Sequence, residues 1–227
     1  MKGFFIAIDG TDGSGKKTQT NILVKRLSRK GHDVRKIDFP QYGNKSAALV
    51  EEYLNGKFGT AKQVGPYRAS IFYAVDRYAA APKIRKWLEE GKIIVSNRYV
   101  SANMGHQAGK IKNRKERDKF LKWLDNLEYK IFGIPRPDKN ILLYMPPEIG
   151  KRLVGRKEIR KYIGGKGRDI HEKDLQHLKD ASNAYLYVAK KMKWTVIDCA
   201  PRKKLRTIKD ISEELWNKVS RMIPKKR

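Results

Sequence analysis

Short apolar runs rich in Ile, Val and Leu alternate along the chain with longer stretches of helical period. "FFIAI" (4–8) reads as a buried strand. The segment from Lys16 to Arg29 puts Ile22, Leu23 and Leu27 on one face and stops at Gly31, a C-cap residue. "DVRKID" (33–38) predicts a second strand, and residues 45 to 55 a helix. Residues 66 to 90 predict another helix, kinked or split at Pro82, whose ring cannot continue the hydrogen-bond ladder. "KIIVS" (92–96) follows Gly91 as a third strand, residues 114 to 132 predict a Lys-rich amphipathic helix, and "NILLYM" (140–145) predicts a fourth strand. A helix over 172–191, a fifth strand "WTVID" (194–198) and a helix from about 207 close the pattern. Strands separated by helices predict an α/β fold: a parallel sheet with helices on both faces and right-handed crossovers. No internal repeat or low-complexity linker interrupts it, so residues 1–227 read as one domain.

Composition narrows the class. Hydrophobic residues make up 40% and charged residues 33% of 227, which suits a globular protein able to bury a core. The longest apolar runs, "FFIAI" and "ILLYM", are five residues and cannot span a bilayer. The N-terminal run stops at Asp9, too short for a leader's apolar region. Cys199 is the single cysteine, so no internal disulfide forms, and the expected location is the cytoplasm. Lys plus Arg is 52 against 24 Asp plus Glu, a net charge of +28, which calls for polyanionic partners. The basic residues are spread along the chain, which suits anionic small substrates as well as nucleic acid. The aromatic residues fall on predicted strands and helices rather than in exposed basic runs, which disfavours a nucleic-acid stacking platform.

"GTDGSGKKTQT" (10–20) supplies the chemistry. It lies between a strand and a helix, the context of a phosphate-binding P-loop, and Gly10, Gly15 and Lys16 hold the diagnostic positions. Gly10, Asp12, Gly13, Ser14, Gly15, Lys16, Lys17 and Thr18 form the expected ATP-binding set: loop backbone N–H groups would cradle the phosphates, and the helix from Lys16 adds its positive dipole end. Lys16 would place its charge on the transferring phosphate. Lys17 stands where a hydroxyl usually meets Mg²⁺. Thr18 is one residue on, about 100° around the helix. Asp9 and Asp12 with water are therefore the expected holders of the metal, since Mg²⁺ keeps several waters readily.

Four more stretches bear on the substrate: "DFPQYG" (38–43), "IFYAVDRYA" (71–79), "IIVSNRYVSANMGHQAGK" (93–110) and "RLVGRKEIRKYIGGKGRDIHEKD" (152–174). With the loop, they resemble the thymidylate kinase family along most of the chain. The resemblance implies a P-loop kinase fold with a five-stranded parallel sheet and a mobile lid over about 152–170. It also implies Mg²⁺-dependent transfer of the ATP γ-phosphate to dTMP, and a homodimer. By the same resemblance, Tyr73 stacks on thymine, with Phe72 as the other candidate, and Arg77 meets a base carbonyl. Arg98 binds the monophosphate, while Asn103 and Gln107 face the base or its surroundings. His106 falls where some members carry a Tyr near the sugar. Gln41 stands where members often carry a phosphate-touching Arg, and no contact is carried over to it. Asn97 replaces the family's Asp beside the metal. The loop has no Arg, so the lid must supply the catalytic one, Arg156 or Arg160, with Arg168 next; Glu172, in a D-x-x-E pattern with Asp169, approaches the acceptor. The alternatives are a kinase for another nucleotide or nucleoside, or a basic nucleic-acid-binding P-loop protein with weak kinase activity.

Overall fold

A computed structural model describes residues 3–154 and 175–224. The strands are β1 (Phe4–Asp9), β2 (Val34–Asp38), β3 (Ile93–Asn97), β4 (Lys139–Tyr144) and β5 (Thr195–Asp198). The described helices are α1 (Lys16–Arg29), α2 (Ala48–Leu54), α3 (Ala61–Glu89), α4 (Val100–Gly109), α5 (Arg114–Asp125), α6 (Pro147–Val154), α7 (Leu175–Lys191) and α8 (Ile208–Ser220). All strand pairs are parallel, in the order β2-β3-β1-β4-β5. Central β1 is fully buried from Phe5 to Ile8, as a parallel strand covered on both faces should be. Its side chains alternate between two cores. Phe5 and Ala7 pack with Ile84, Tyr99, Met104 and Phe120 beneath α3, α4 and α5. Ile6 and Ile8 pack on the opposite face with Leu23, Leu27 and Leu215 of α1 and α8.

α1 ends where the pattern placed its end. Gly31 N–H donates to Ser28 O at 2.9 Å and His32 N–H to Leu27 O at 3.2 Å, the paired bonds of a Schellman cap. α3 departs from expectation. Its break is not at Pro82 but at Gly65, the one interior residue with non-helical dihedrals (φ 74, ψ 169), directly before Pro66. It starts earlier than expected because Thr60 and Gln63 form a reciprocal capping box.

α4 was not expected as an element. It is buried almost all round and so shows no polar face in sequence. It lies close against α7: a Cβ on Gly105 would stand 2.3 Å from the Tyr185 ring, and one on Gly109 2.9 Å from the Ala181 backbone. α5 continues into a π-helical turn, Asn126–Ile131, which carries the fully buried Glu128. These elements bring the C-terminal ends of β1, β2 and β3, α3 and α4 around one cleft of about 1070 Å³, the place where open α/β sheets take ligands.

Candidate active site

The loop from β1 to α1 forms one wall. Gly13 has φ 83, and a Cβ there would fall 2.3 Å from the Gly150 carbonyl oxygen, so only glycine lets the loop lie against α6. Asp12, Gly13, Ser14, Gly15, Lys16 and Lys17 line the cleft, and Thr18 follows them. Gly10 is beneath the lining and donates its N–H to Asp9 Oδ1 at 2.8 Å. α1 begins at Lys16, so its first-turn N–H groups stand at the cleft. The Lys16 ammonium is held inside the loop: it donates to Thr11 O at 2.9 Å and lies 3.8 Å from Asp12 Oδ1. Lys17 and Thr18 are exposed.

Arg98 arrives from the end of β3. Its backbone is left-handed (φ 66), a conformation that costs a non-glycine residue energy and gathers at functional sites. Nη2 donates to Asp12 Oδ1 at 2.5 Å, and Nη1 lies 2.9 Å from His106 Nε2. Burial opposes its charge, but the neighbouring carboxylates, Asp12 foremost, hold the guanidinium above its ordinary pKa. Lys16 and Arg98 thus converge on one carboxylate from two different strand ends.

The two carboxylates expected to hold Mg²⁺ differ in place. Asp12 lines the cleft. Asp9 is 1% exposed and is not part of the lining: Oδ1 accepts from Gly10 N–H and, at 2.7 Å, from the Tyr185 hydroxyl, and Oδ2 accepts from Ser101 at 2.8 Å. It braces the end of β1 against α4 and α7. A further carboxylate, not anticipated, stands on the cleft. Asp38 is the register partner of Asn97 across β2 and β3, accepts from Asn97 Nδ2 at 2.8 Å and pairs with Lys36 at 2.7 Å. Among the described residues no three His, Cys, Asp or Glu side chains gather as a metal cage. Mg²⁺ needs none: one or two carboxylates with substrate phosphates and water suffice, and Asp12 fits that demand.

At the far end, Tyr73 lines the cleft and meets Tyr53 edge-on, with centroids 6.3 Å apart. Phe72, the other stacking candidate, packs on Phe58 and Tyr53 and is not in the lining. Asn103 and Gln107, one turn apart on α4, are buried and line the cleft. Asn103 Nδ2 donates to Ser70 O at 3.2 Å, and Gln107 Oε1 is buried with no partner among the described residues. Arg77 also lines the cleft but is 1% exposed and already committed. Its Nε donates to Glu128 Oε2 at 2.9 Å, Nη2 pairs with Oε1, and Nη1 reaches Tyr99 O at 3.3 Å. Burial weighs against its charge and Glu128 outweighs it, so its pKa is raised. Gln41 is tethered by Asp76, whose Oδ2 accepts the Gln41 N–H at 2.8 Å. Arg156, Arg160, Arg168, Asp169 and Glu172 lie outside the described residues.

Sequence reading also missed the other end of the cleft. Leu205, Arg206, Ile208 and Ile211 line it beyond Gln19, whose Nε2 donates to Ile208 O at 3.0 Å. The polar run around them gave no hint of an apolar surface.

Residues 8–210 match the family model for thymidylate kinase. The chain belongs to the thymidylate kinase family. The thymidylate kinase of Mycobacterium tuberculosis is 29% identical over 186 residues, 81% of this chain and 85% of that one. The thymidylate kinase of Danio rerio is 24% identical over 214 residues, 94% of this chain and 88% of that one. A solved thymidylate kinase from Candida albicans has the same fold, with a TM-score of 0.75 at 23% identity over 97% of this chain and 92% of that one. As a member of the thymidylate kinase family the protein is a nucleotide-binding P-loop phosphotransferase, and none of these relatives favours a nucleic-acid-binding scaffold. No helix among the described residues is long and apolar enough to cross a membrane.

Proposed function

We propose that the protein transfers the γ-phosphate of ATP to dTMP, giving ADP and dTDP. The observation that carries this reading is the convergence of Lys16 and Arg98 on Asp12, at 3.8 and 2.5 Å. One cation belongs to the loop that would hold the donor phosphates, the other to the strand end beside the acceptor pocket. Phosphoryl transfer asks a protein mainly for alignment and charge neutralisation, and these two groups supply both. Asp12 is the cleft carboxylate suited to Mg²⁺, with Asp9 behind it; when bound, the ion neutralises charge on the donor phosphates. Gly13, Ser14, Gly15 and the first turn of α1 would cradle the donor phosphates, with Leu205 and Ile208 offering apolar surface to its adenine. Tyr73 would stack on thymine, Asn103 and Gln107 would meet its polar edge, and Arg77 would back the pocket with its remaining N–H groups. Arg156 or Arg160 would complete neutralisation from the lid, and Glu172 would approach the acceptor.

The test is kcat/KM for dTMP, dUMP, dCMP, dAMP and dGMP with ATP at fixed Mg²⁺. dTMP is expected to be best and dUMP about 10- to 100-fold worse, because a methyl in an apolar pocket is worth about 1–3 kcal/mol. A purine monophosphate preferred over dTMP would overturn the reading. We also propose a homodimer. Tyr67, Ile71 and Tyr78, all on one face of α3, are 40%, 40% and 54% exposed. Light scattering that gives a monomer mass at micromolar concentration would refute it.

A further inference from the structure

A chain of side chains runs behind the two phosphate-facing cations. Arg98 Nη1 lies 2.9 Å from His106 Nε2, and His106 Nδ1 lies 3.4 Å from His177 Nε2. The two imidazole planes are nearly parallel, at 19°, and the rings meet edge to edge with centroids 5.6 Å apart; each is only 9% exposed. The Tyr185 ring stands nearly perpendicular to His106, with centroids 5.5 Å apart. A guanidinium can only donate, so His106 Nε2 must accept. That requires a neutral ring with its hydrogen on Nδ1, and this hydrogen points at His177 Nε2, which accepts in turn. The chain therefore has a direction: Arg98 gives to His106, and His106 gives to His177.

We propose that His106, backed by His177, is the positioning residue that orients Arg98 for the acceptor phosphate. The inference rests on the reading of Arg98 as the group that meets that phosphate. Asp12 takes Nη2 and His106 takes Nη1, so both ends of the planar guanidinium are pinned. Its torsion is set before substrate arrives, and the N–H bonds not spent on these two partners hold a fixed direction. A protonated His106 would turn Nε2 into a donor facing a donor, and the pin would be lost. Among the described residues, charged groups reach the pair through its neighbours: Asp12 of the loop through Arg98, and Asp9 of β1 through Tyr185 of α7, while Arg77 of α3 holds the Tyr99 carbonyl ahead of α4 and pairs with Glu128 of the π-helical turn. Arg117 of α5 reaches the Ala108 carbonyl on the same helix as His106.

The experiment is steady-state kinetics on the full chain, varying dTMP and ATP separately, between about pH 5.5 and 8.5, across the ordinary imidazole range. The proteins are wild type, Arg98→Ala, His106→Leu and His106→Gln. His106→Leu removes the acceptor without adding bulk and is expected to raise the dTMP KM about 10-fold, with the ATP KM within about two-fold of wild type. His106→Gln places an amide oxygen near the Nε2 position and is expected to restore the dTMP KM to within about three-fold. In wild type the dTMP KM should climb as pH falls, more steeply than in His106→Gln, which keeps only the phosphate's own titration near about pH 6. A His106→Leu enzyme with wild-type dTMP KM, or identical pH profiles for wild type and His106→Gln, overturns the proposal. If His106→Leu does not fold, the His106→Gln profile decides alone. If Arg98→Ala also leaves the dTMP KM unchanged, the reading of Arg98 itself fails, which is a separate result.

Discussion

Lys16 and Arg77 are both buried cations on the cleft wall, at 8% and 1% exposure, and their partners give them different duties. Lys16 is held by a carbonyl and stands 3.8 Å from a carboxylate, contacts that a phosphate can replace at little cost. Lys16→Ala is therefore expected to fold normally and to lower kcat at least about 100-fold, roughly 3 kcal/mol, in a coupled ADP assay. Of Arg156→Ala and Arg160→Ala, at least one should likewise lose turnover while the dTMP KM stays within a few-fold. Arg77 is tied to Glu128, and removing it strands a buried carboxylate. Arg77→Ala is expected to cost about 3–5 kcal/mol in urea denaturation, whereas replacing both partners by Met should cost much less. A small loss for Arg77→Ala would show that the pair is not the main duty of Arg77. The spacing of Tyr73 and Arg77 revealed that they share a helix face, because i and i+4 positions always do. It could not reveal Glu128, 51 residues away on a π-helical turn, since pairing across elements leaves no local pattern.

Among elements, the same division holds. The P-loop was legible because its requirements are local: glycines, a lysine, a strand before and a helix after. The three inner strands, β3, β1 and β4, were legible because burial on both faces writes an uninterrupted apolar run, whereas the edge strands β2 and β5 are partly exposed and show only a few apolar positions among polar ones. α4 was not, because its stability comes from α7 rather than from its own period, and the residues that matter most there are glycines. Gly105 is the test. A methyl there must displace the Tyr185 ring, which is 2.3 Å from the Cβ position and whose hydroxyl holds Asp9. Gly105→Ala is expected to destabilise the protein by about 1–3 kcal/mol, as overpacking does. Because Asn103, His106 and Gln107 ride on the same helix, the dTMP KM should rise while the ATP KM holds. Equal changes in both constants would mean that α4 does not position the acceptor end separately. The carboxylate of Asp38 was unreadable for a related reason: only the register of β2 on β3 brings it to Asn97.

For the whole molecule, the net charge of +28 needs a consequence that can be measured. Among the described residues the cations that line the cleft are Lys16, Lys17, Lys36, Arg77, Arg98 and Arg206, and those far from it act through the field. At about 0.1 M salt that field decays over about 10 Å, so distant charges are silenced as salt rises while contacts inside the cleft are not. The field raises capture of polyanionic nucleotides and leaves the closed complex unchanged. Between about 0.02 and 0.3 M KCl, kcat/KM for dTMP is therefore expected to fall several-fold while kcat moves less than about two-fold, the range over which screening shortens most. Duplex DNA should follow a far steeper course, since a protein making 6–10 phosphate contacts loses about 10³–10⁵ in affinity between about 50 and 200 mM salt. The decisive comparison is both titrations on one preparation. If kcat falls together with kcat/KM, salt acts within the closed complex and the long-range account fails. If DNA stays bound at about 0.15 M salt more tightly than the 10⁻⁴–10⁻⁶ M of non-specific complexes, the surface charge serves nucleic acid as well as substrate capture.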